Sequence, residues 1–299
     1  MPTCTPGSTT TTYFGLCKPA DGETNWGTAY RTSMDAIDTA LHNVGIPRSY
    51  LAGLGTTPTV ASTSVSIAAG VAMGNDQATS IVLTSALVKV LSSSWAVGSG
   101  NGGLYAATSI QGNQTYHLFV IIRTDTSVVD AYFDTSVTAA NIPSPYTVYR
   151  RIMSLKTSTF GNMVNYVQDG DYFRLMNAVL EVNATNPGTS ATTQTLVGVP
   201  TGVNFKALIN ALLFGGSTNS FAAYISDLAV TAEAPSISQS PLTSIGDSPS
   251  ATLGSGGAQI EVRTNTSAQI RWQCGPASGA ADTFRIASLG WTDTRGRNT

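Results

Sequence analysis

The sequence predicts a mainly β protein, built as a short N-terminal helix followed by two tandem β-sandwich or jelly-roll-like modules. Three observations carry this expectation. Charged residues make up only 11% of the 299, less than half the roughly 25% of an ordinary soluble domain, so charged helix faces cannot be built in number. Ser and Thr, roughly a quarter of the chain, stand beside 29 Gly and 13 Pro, a palette suited to short strands and tight turns. Beyond residue 56 the apolar positions alternate with period two between clusters of turn residues, which is the strand signature.

Residues 1–57 differ from the rest and form the first expected unit. After a Ser/Thr-rich start come Tyr13, Phe14, Gly15 and Leu16, then the turn-rich KPADGETNWG. A helix is expected over 28–44, because Thr28 to Asn43 holds no Pro or Gly and Gly45 with Pro47 stops it. Its apolar residues are Tyr30, Met34, Ile37, Leu41 and Val44, spaced 4, 3, 4, 3. That is a heptad seam rather than a broad amphipathic face. Two destinations suit such a seam: the protein's own β-body, or a self-associating bundle about a symmetry axis.

The first β-module is expected over 58–172, with strands at Val60–Ile67, Ser80–Leu83, Leu87–Leu91, Tyr116–Arg123, Val128–Phe133, Tyr146–Leu155 and Met163–Gln168. The second is expected over 173–299, with strands at Ala178–Val182, Thr193–Val199, Lys206–Phe214, Phe221–Ile225, Leu228–Thr231, Gln259–Arg263, Gln269–Trp272 and Phe284–Trp291. Lys206–Phe214 also reads as a turn or two of helix. An internal echo suggests that one module was duplicated. Arg123-Thr-Asp-Thr-Ser recurs as Arg263-Thr-Asn-Thr-Ser, and Arg151-Ile-Met-Ser-Leu as Arg285-Ile-Ala-Ser-Leu, at offsets of 140 and 134 residues.

Chemistry-bearing motifs are sparse. The two histidines, His42 and His117, have no second ligand at metal spacing, so no metal site and no cofactor is expected. His117 lies in YHLFVIIR, apolar on both faces, and reads as a hydrogen-bonded core or interface residue. Gly98-Ser-Gly-Asn-Gly-Gly103 formally contains G-x-G-x-x-G, but without the following helix that a dinucleotide fingerprint needs it reads as a flexible loop. Asp125, Asp130 and Asp134, and the Asp169–Asp171 pair, are the carboxylates a glycosidase would draw on, yet their surroundings read first as turns. Trp95, Tyr105, Tyr224, Trp272 and Trp291 are candidate stacking platforms, with β-core filling as the competing role. Cys4, Cys17 and Cys274 do not make a disulfide framework.

A net charge of −2 argues against nucleic-acid partners. No apolar run approaches a membrane span, and the first residues lack the basic and apolar regions of a signal peptide. No membrane insertion and no secretion are therefore expected.

The segment Tyr13–Leu41 resembles the N-terminal segment of bacteriophage tail-fibre proteins. The shared elements are Leu16, Lys18-Pro19, Gly22-Glu23, Asn25-Trp26-Gly27 and the D-A-I-D run Asp35–Asp38. YTVYRRIMSL from Tyr146 and SLGWTDTRGR from Ser288 also look like recurring pieces of phage tail-associated β-domains. The resemblance implies a non-enzymatic, homotrimeric virion component: a tail fibre or a connector between tail and fibre, touching other virion proteins and a host surface glycan or receptor. Tyr13, Phe14, Leu16 and Trp26 are the expected docking anchors on the particle. A capsid head fibre or decoration protein, and a polysaccharide-binding or depolymerising module, are the alternatives.

Overall fold

The computed structural model describes residues 9–12, 17–18, 32–38, 49–59, 63–105, 109–215, 221–236, 244–247, 254–276 and 279–297. Two short strands, β1 (Thr9–Thr10) and β2 (Cys17–Lys18), pair antiparallel. Residues 32–38 are helical; the rest of the expected helix 28–44 lies outside the described residues. The helix and the two-stranded sheet are tied by side chains. Thr11 Oγ1 donates to Asp38 Oδ1 at 2.7 Å, and Lys18 Nζ bridges to Asp35 at 3.1 Å.

The remaining chain is β. It runs through β3 (Leu51–Gly53), β4 (Thr56–Pro58), β5 (Ser64–Ile67), β6 (Gly70–Met73), β7 (Ser80–Leu83), β8 (Leu87–Ser94), β9 (Asn101–Leu104), β10 (Thr115–Ile122), β11 (Val129–Asp134) and β12 (Val148–Lys156). Next come β13 (Tyr166–Asp169), β14 (Tyr172–Thr185), β15 (Thr192–Thr195), β16 (Lys206–Gly215), β17 (Phe221–Ser226), β18 (Ser244–Asp247), β19 (Gly254–Arg263), β20 (Gln269–Pro276) and β21 (Thr283–Thr292). A seven-stranded sheet has the order β12-β10-β11-β9-β8-β5-β4, a five-stranded sheet β13-β14-β21-β16-β19, and a four-stranded sheet β15-β20-β17-β18; β3-β6-β7 form a small fourth sheet.

Period two explains which residues are inside. In β16 the burial alternates strictly, with Ala207, Ile209, Ala211 and Leu213 fully buried. Lys206–Phe214 is therefore strand, not helix. On β10 every residue is buried, and the two faces serve different cores. Tyr116, Leu118, Val120 and Ile122 join the main core, whereas Phe119 and Ile121 join a second cluster with Tyr132, Ala139 and Tyr146.

The main core is continuous from Leu54 to Trp291 and takes side chains from all three large sheets. Trp291 stacks on Phe173 at 5.5 Å, with Tyr166 edge-on to Phe173 at 5.4 Å, and Trp272 of the four-stranded sheet meets Phe284 of the five-stranded sheet at 5.2 Å. The expected boundary at 172/173 falls at the head of β14, within the β13–β14 hairpin. The strands β3 and β4 lie before residue 58 or reach it, and they pair with β6 and β5 inside the body.

Three expectations are corrected. Leu228–Thr231 forms a turn rather than a strand, because Asp227 accepts from the Ala229 amide and from Arg263 and so closes the chain locally. The echoed pentapeptides do not share a topology. Arg123–Ser127 is the turn of the β10–β11 hairpin, while Arg263–Ser267 carries the chain from β19 to β20 in another sheet. Likewise, Ile152 lies on a strand paired with β10, but β21, which holds Ile286, does not pair with β19. The echo is short enough to arise from a Thr-rich composition, and the duplication is withdrawn. The Gly98–Gly103 segment is anchored at its start, because the Gly98 amide donates to Asp130 and the Gly98 carbonyl accepts from the buried Lys89.

Gly290 is one of the glycines whose lack of a side chain the fold requires. Its φ is +158°, and a Cβ there would run into the Phe173 carbonyl and the Arg174 Cα of β14. Gly290→Ala is expected to destabilise the protein by about 1–3 kcal/mol, since β14 must move to admit the methyl. Urea denaturation measures this, and an unchanged midpoint would refute the close packing.

Candidate functional site

The centre of interest is the place where β12 meets the segment after β21. The register of β10 and β12 shifts between Leu118 and Phe119, so that Leu118 faces Met153 while Phe119 faces Arg151. Ile152 is the extra residue, and a bulge of this kind re-aims neighbouring side chains. Arg151 and Ser154 thereby both approach His117, whose Nδ1 shares a hydrogen bond with Ser154 Oγ at 2.8 Å; Arg151 Nη1 donates to the same oxygen at 2.7 Å.

Arg151 also makes a bidentate pair with Asp293, at 2.6 and 2.8 Å, and both side chains are buried. Two parallel N–H···O bonds give such a pair geometric definition as well as energy. Arg295, two residues on, donates to the carbonyls of Ile152, Gly53 and Leu54. One guanidinium thus binds β12 and the β3–β4 connection together. Burial pulls Arg295 down to about 10, which leaves it charged at neutral pH. The stretches YTVYRRIMSL and SLGWTDTRGR therefore meet here: Arg150 and Arg151 come from the first, Asp293, Arg295 and Arg297 from the second.

Beside this junction lies a cleft of 1020 Å³. Arg150, Arg151, Lys206, Arg263 and Arg297 line it, and among the described residues its lining holds no Asp or Glu. Their pairings differ. Arg151 is neutralised by Asp293, Arg297 pairs with Asp171, and Arg263 reaches Asp227 at 3.1 Å. Arg150 is 8% exposed and has no carboxylate partner among the described residues; it donates to the carbonyls of Arg295 at 3.1 Å and Ser49 at 3.5 Å. Burial, and then the charges of Arg151, Arg297 and Arg295, hold Arg150 below the usual arginine range. Lys206 is exposed and lies directly across from Arg263 in the β16–β19 register.

The other sequence candidates have different fates. Tyr13, Phe14, Leu16 and Trp26, and the seam residues Tyr30, Leu41 and Val44, lie outside the described residues. Of the seam, Met34 is half-buried and Ile37 is 49% exposed. Trp272 and Trp291 belong to the main core and Tyr224 is likewise buried, so none of the three is an exposed stacking platform. Asp125 is held by Arg123, Asp130 by the buried Lys89, and Asp134 accepts from the amides of Ser136 and Asn141. Cys274 is buried, and burial pushes its thiol up to about 12. Among the described residues no three His, Cys, Asp or Glu side chains cluster as metal ligands would, and no helix is long and apolar enough to cross a membrane.

Sequence reasoning named Arg151 only as part of an echo and gave no role to Arg150, Lys206 or Arg297. The signal available was the doubled Arg150-Arg151 in a strand of a chain with few charges. Comparison with known proteins finds no family model and no curated protein that matches the chain.

Two outcomes follow from this geometry. Arg151→Met is expected to lose about 3–5 kcal/mol of stability, because it leaves the Asp293 carboxylate buried and unpaired. Adding Asp293→Leu should recover part of the loss, as a double-mutant cycle in urea would register. Second, burial and then the Arg151 charge pull His117 down to about 4 from an ordinary 6.5. An unfolded chain therefore takes up this proton first as the pH falls. The neutral histidine contributes its full share of stability above about pH 6.5, and that share is lost as the pH falls towards about 4, on the order of 3 kcal/mol. In His117→Gln, melting temperature should fall less steeply across that window than in the parent protein; parallel curves would refute the assignment.

Proposed function

We propose that this chain is a non-enzymatic bacteriophage virion protein, a tail fibre or a tail-to-fibre connector that contributes to host attachment. The observation that supports the reading most is the bond between Lys18 and Asp35. Lys18 belongs to the L-x-K-P part of the N-terminal resemblance and Asp35 to its D-A-I-D part, so the two parts act as one physical unit. Thr11 and the buried Asp38 reinforce it.

In this reading the N-terminal helix forms the seam of a homotrimer through Tyr30, Met34, Ile37, Leu41 and Val44. The half-exposed Ile37 is consistent with a face awaiting a partner. Tyr13, Phe14, Leu16 and Trp26 dock on the particle, each contributing about 1.5–3 kcal/mol when buried. The β-body, with 58–172 and 173–299 as its two modules on a common core, projects outward.

Mass photometry should give a trimer of the 31.0 kDa chain at micromolar concentration, and a monomer throughout would sink the seam. Deleting residues 1–27 should leave a body that folds normally but no longer joins the particle. A deletion product that unfolds, or that still assembles, defeats the docking assignment.

A further inference from the structure

We infer that the cleft between β12 and the ends of β16, β19 and β21 is a binding site for an acidic glycan. Its cations are not explained by the fold alone. Arg151 is neutralised by Asp293, but Arg150 has no counter-ion among the described residues: it lies nine-tenths buried on the cleft and donates to the carbonyls of Arg295 and Ser49. A buried charge without an opposite charge is costly, and an anion seated in the cleft would supply one. Lys206 faces Arg263 across the β16–β19 ladder, and like charges directly opposite destabilise a sheet. Of the five cations around the cleft, Arg151, Arg297 and Arg263 are paired with Asp293, Asp171 and Asp227, which leaves Arg150 and Lys206, without a carboxylate among the described residues, as the charges that a ligand in the cleft would offset.

The rest of the lining selects the class. Asn75, Gln77, Asn204, Thr138, Thr266 and Thr294 offer amides and hydroxyls, the groups that hydrogen-bond sugar hydroxyls. A protein partner's segment would be anchored by several apolar and aromatic pockets, whereas the lining's aromatic rings are Phe119, fully buried in the second core, and Tyr149, half-buried and edge-on against it. A nucleic-acid strand would require stacking aromatics along a basic groove, and the chain's net charge of −2 opposes it. The anionic groups of the glycan would sit against Arg150, Lys206 and Arg263, with guanidinium forks suited to carboxylates. The inference deepens the attachment part of the proposed function but is tested on the purified chain, so that failure to bind leaves the virion assignment standing and failure to join a particle leaves the cleft standing.

The experiment is a binding titration of the intact protein with labelled polygalacturonate, dextran sulfate and neutral dextran. Poly-glutamate and a thymidine oligonucleotide provide the peptide and nucleic-acid arms. Polygalacturonate is expected to bind and to be released at about 0.5 M salt, where charges are screened beyond roughly a few ångströms; neutral dextran should not bind. Dextran sulfate binding as well would extend the site to sulfated glycans, while dextran sulfate alone would replace carboxylate by sulfate and overturn the carboxylate match. Lys206→Gln with Arg263→Gln removes two exposed charges, one of them also the partner of Asp227, and should weaken binding about tenfold or more, as loss of two charge contacts implies, while a cooperative melting transition is retained. Arg285→Gln, an exposed arginine outside this lining, should leave affinity unchanged. No binding, equal binding of poly-glutamate or the oligonucleotide, or a double variant that binds as the parent does, would overturn the inference.

Discussion

The buried pair between Arg151 and Asp293 fixes how the two ends of the β-body meet. Its partners lie 142 residues apart, and neither can be buried without the other at tolerable cost. The bulge at Ile152 aims Arg151, the same strand supplies Ser154 to His117, and the Asp293 turn carries Arg295 onto three carbonyls. The aromatic stack of Trp291, Phe173 and Tyr166 closes the core just behind this junction. Charge, backbone and aromatic packing are therefore satisfied at one place, which makes the C-terminal arm part of the body rather than an appendage.

That arrangement also accounts for the cleft. Once Arg151 and Arg295 are consumed in holding the arm, their positive charge, with that of Arg297, still presses on Arg150 nearby. On the opposite wall Arg263 is held by Asp227, whereas Lys206 across from it has no carboxylate partner among the described residues. The contrast between the neutralised Arg151, Arg263 and Arg297 and the un-neutralised Arg150 and Lys206 separates the structural function of the junction from the proposed binding function beside it.

Most strands were legible in the sequence because period-two alternation and turn clusters reflect burial directly. Ser80–Leu83 is read to the residue, and Lys206–Phe214 is resolved by the strict alternation of Ala207, Ile209, Ala211 and Leu213. Among the missed strands, Asn101-Gly-Gly-Leu104 carries two glycines and Thr56-Thr-Pro58 one apolar ring, so neither shows a period-two pattern. The site was not legible. Its residues come from strands joined only by tertiary pairing, and no local pattern announces that residue 293 will neutralise residue 151. The buried aromatics illustrate the reverse error. Trp272 and Trp291 stand near turns in sequence, but the turns leave strands whose inner faces pack sheet against sheet.

The position of the clamp in the chain has a consequence for biosynthesis. Strand β12 leaves the ribosome well before residues 293–295 exist, so Arg151 has no counter-ion while the second half is being made. The first half must then remain incompletely closed, and a chain halted before Asp293 keeps an unpaired guanidinium where the full chain has its bidentate pair. Contacts of such long sequence separation slow folding. The body therefore gains the Arg151–Asp293 pair only once residue 293 has been made, and a shorter chain lacks its contribution.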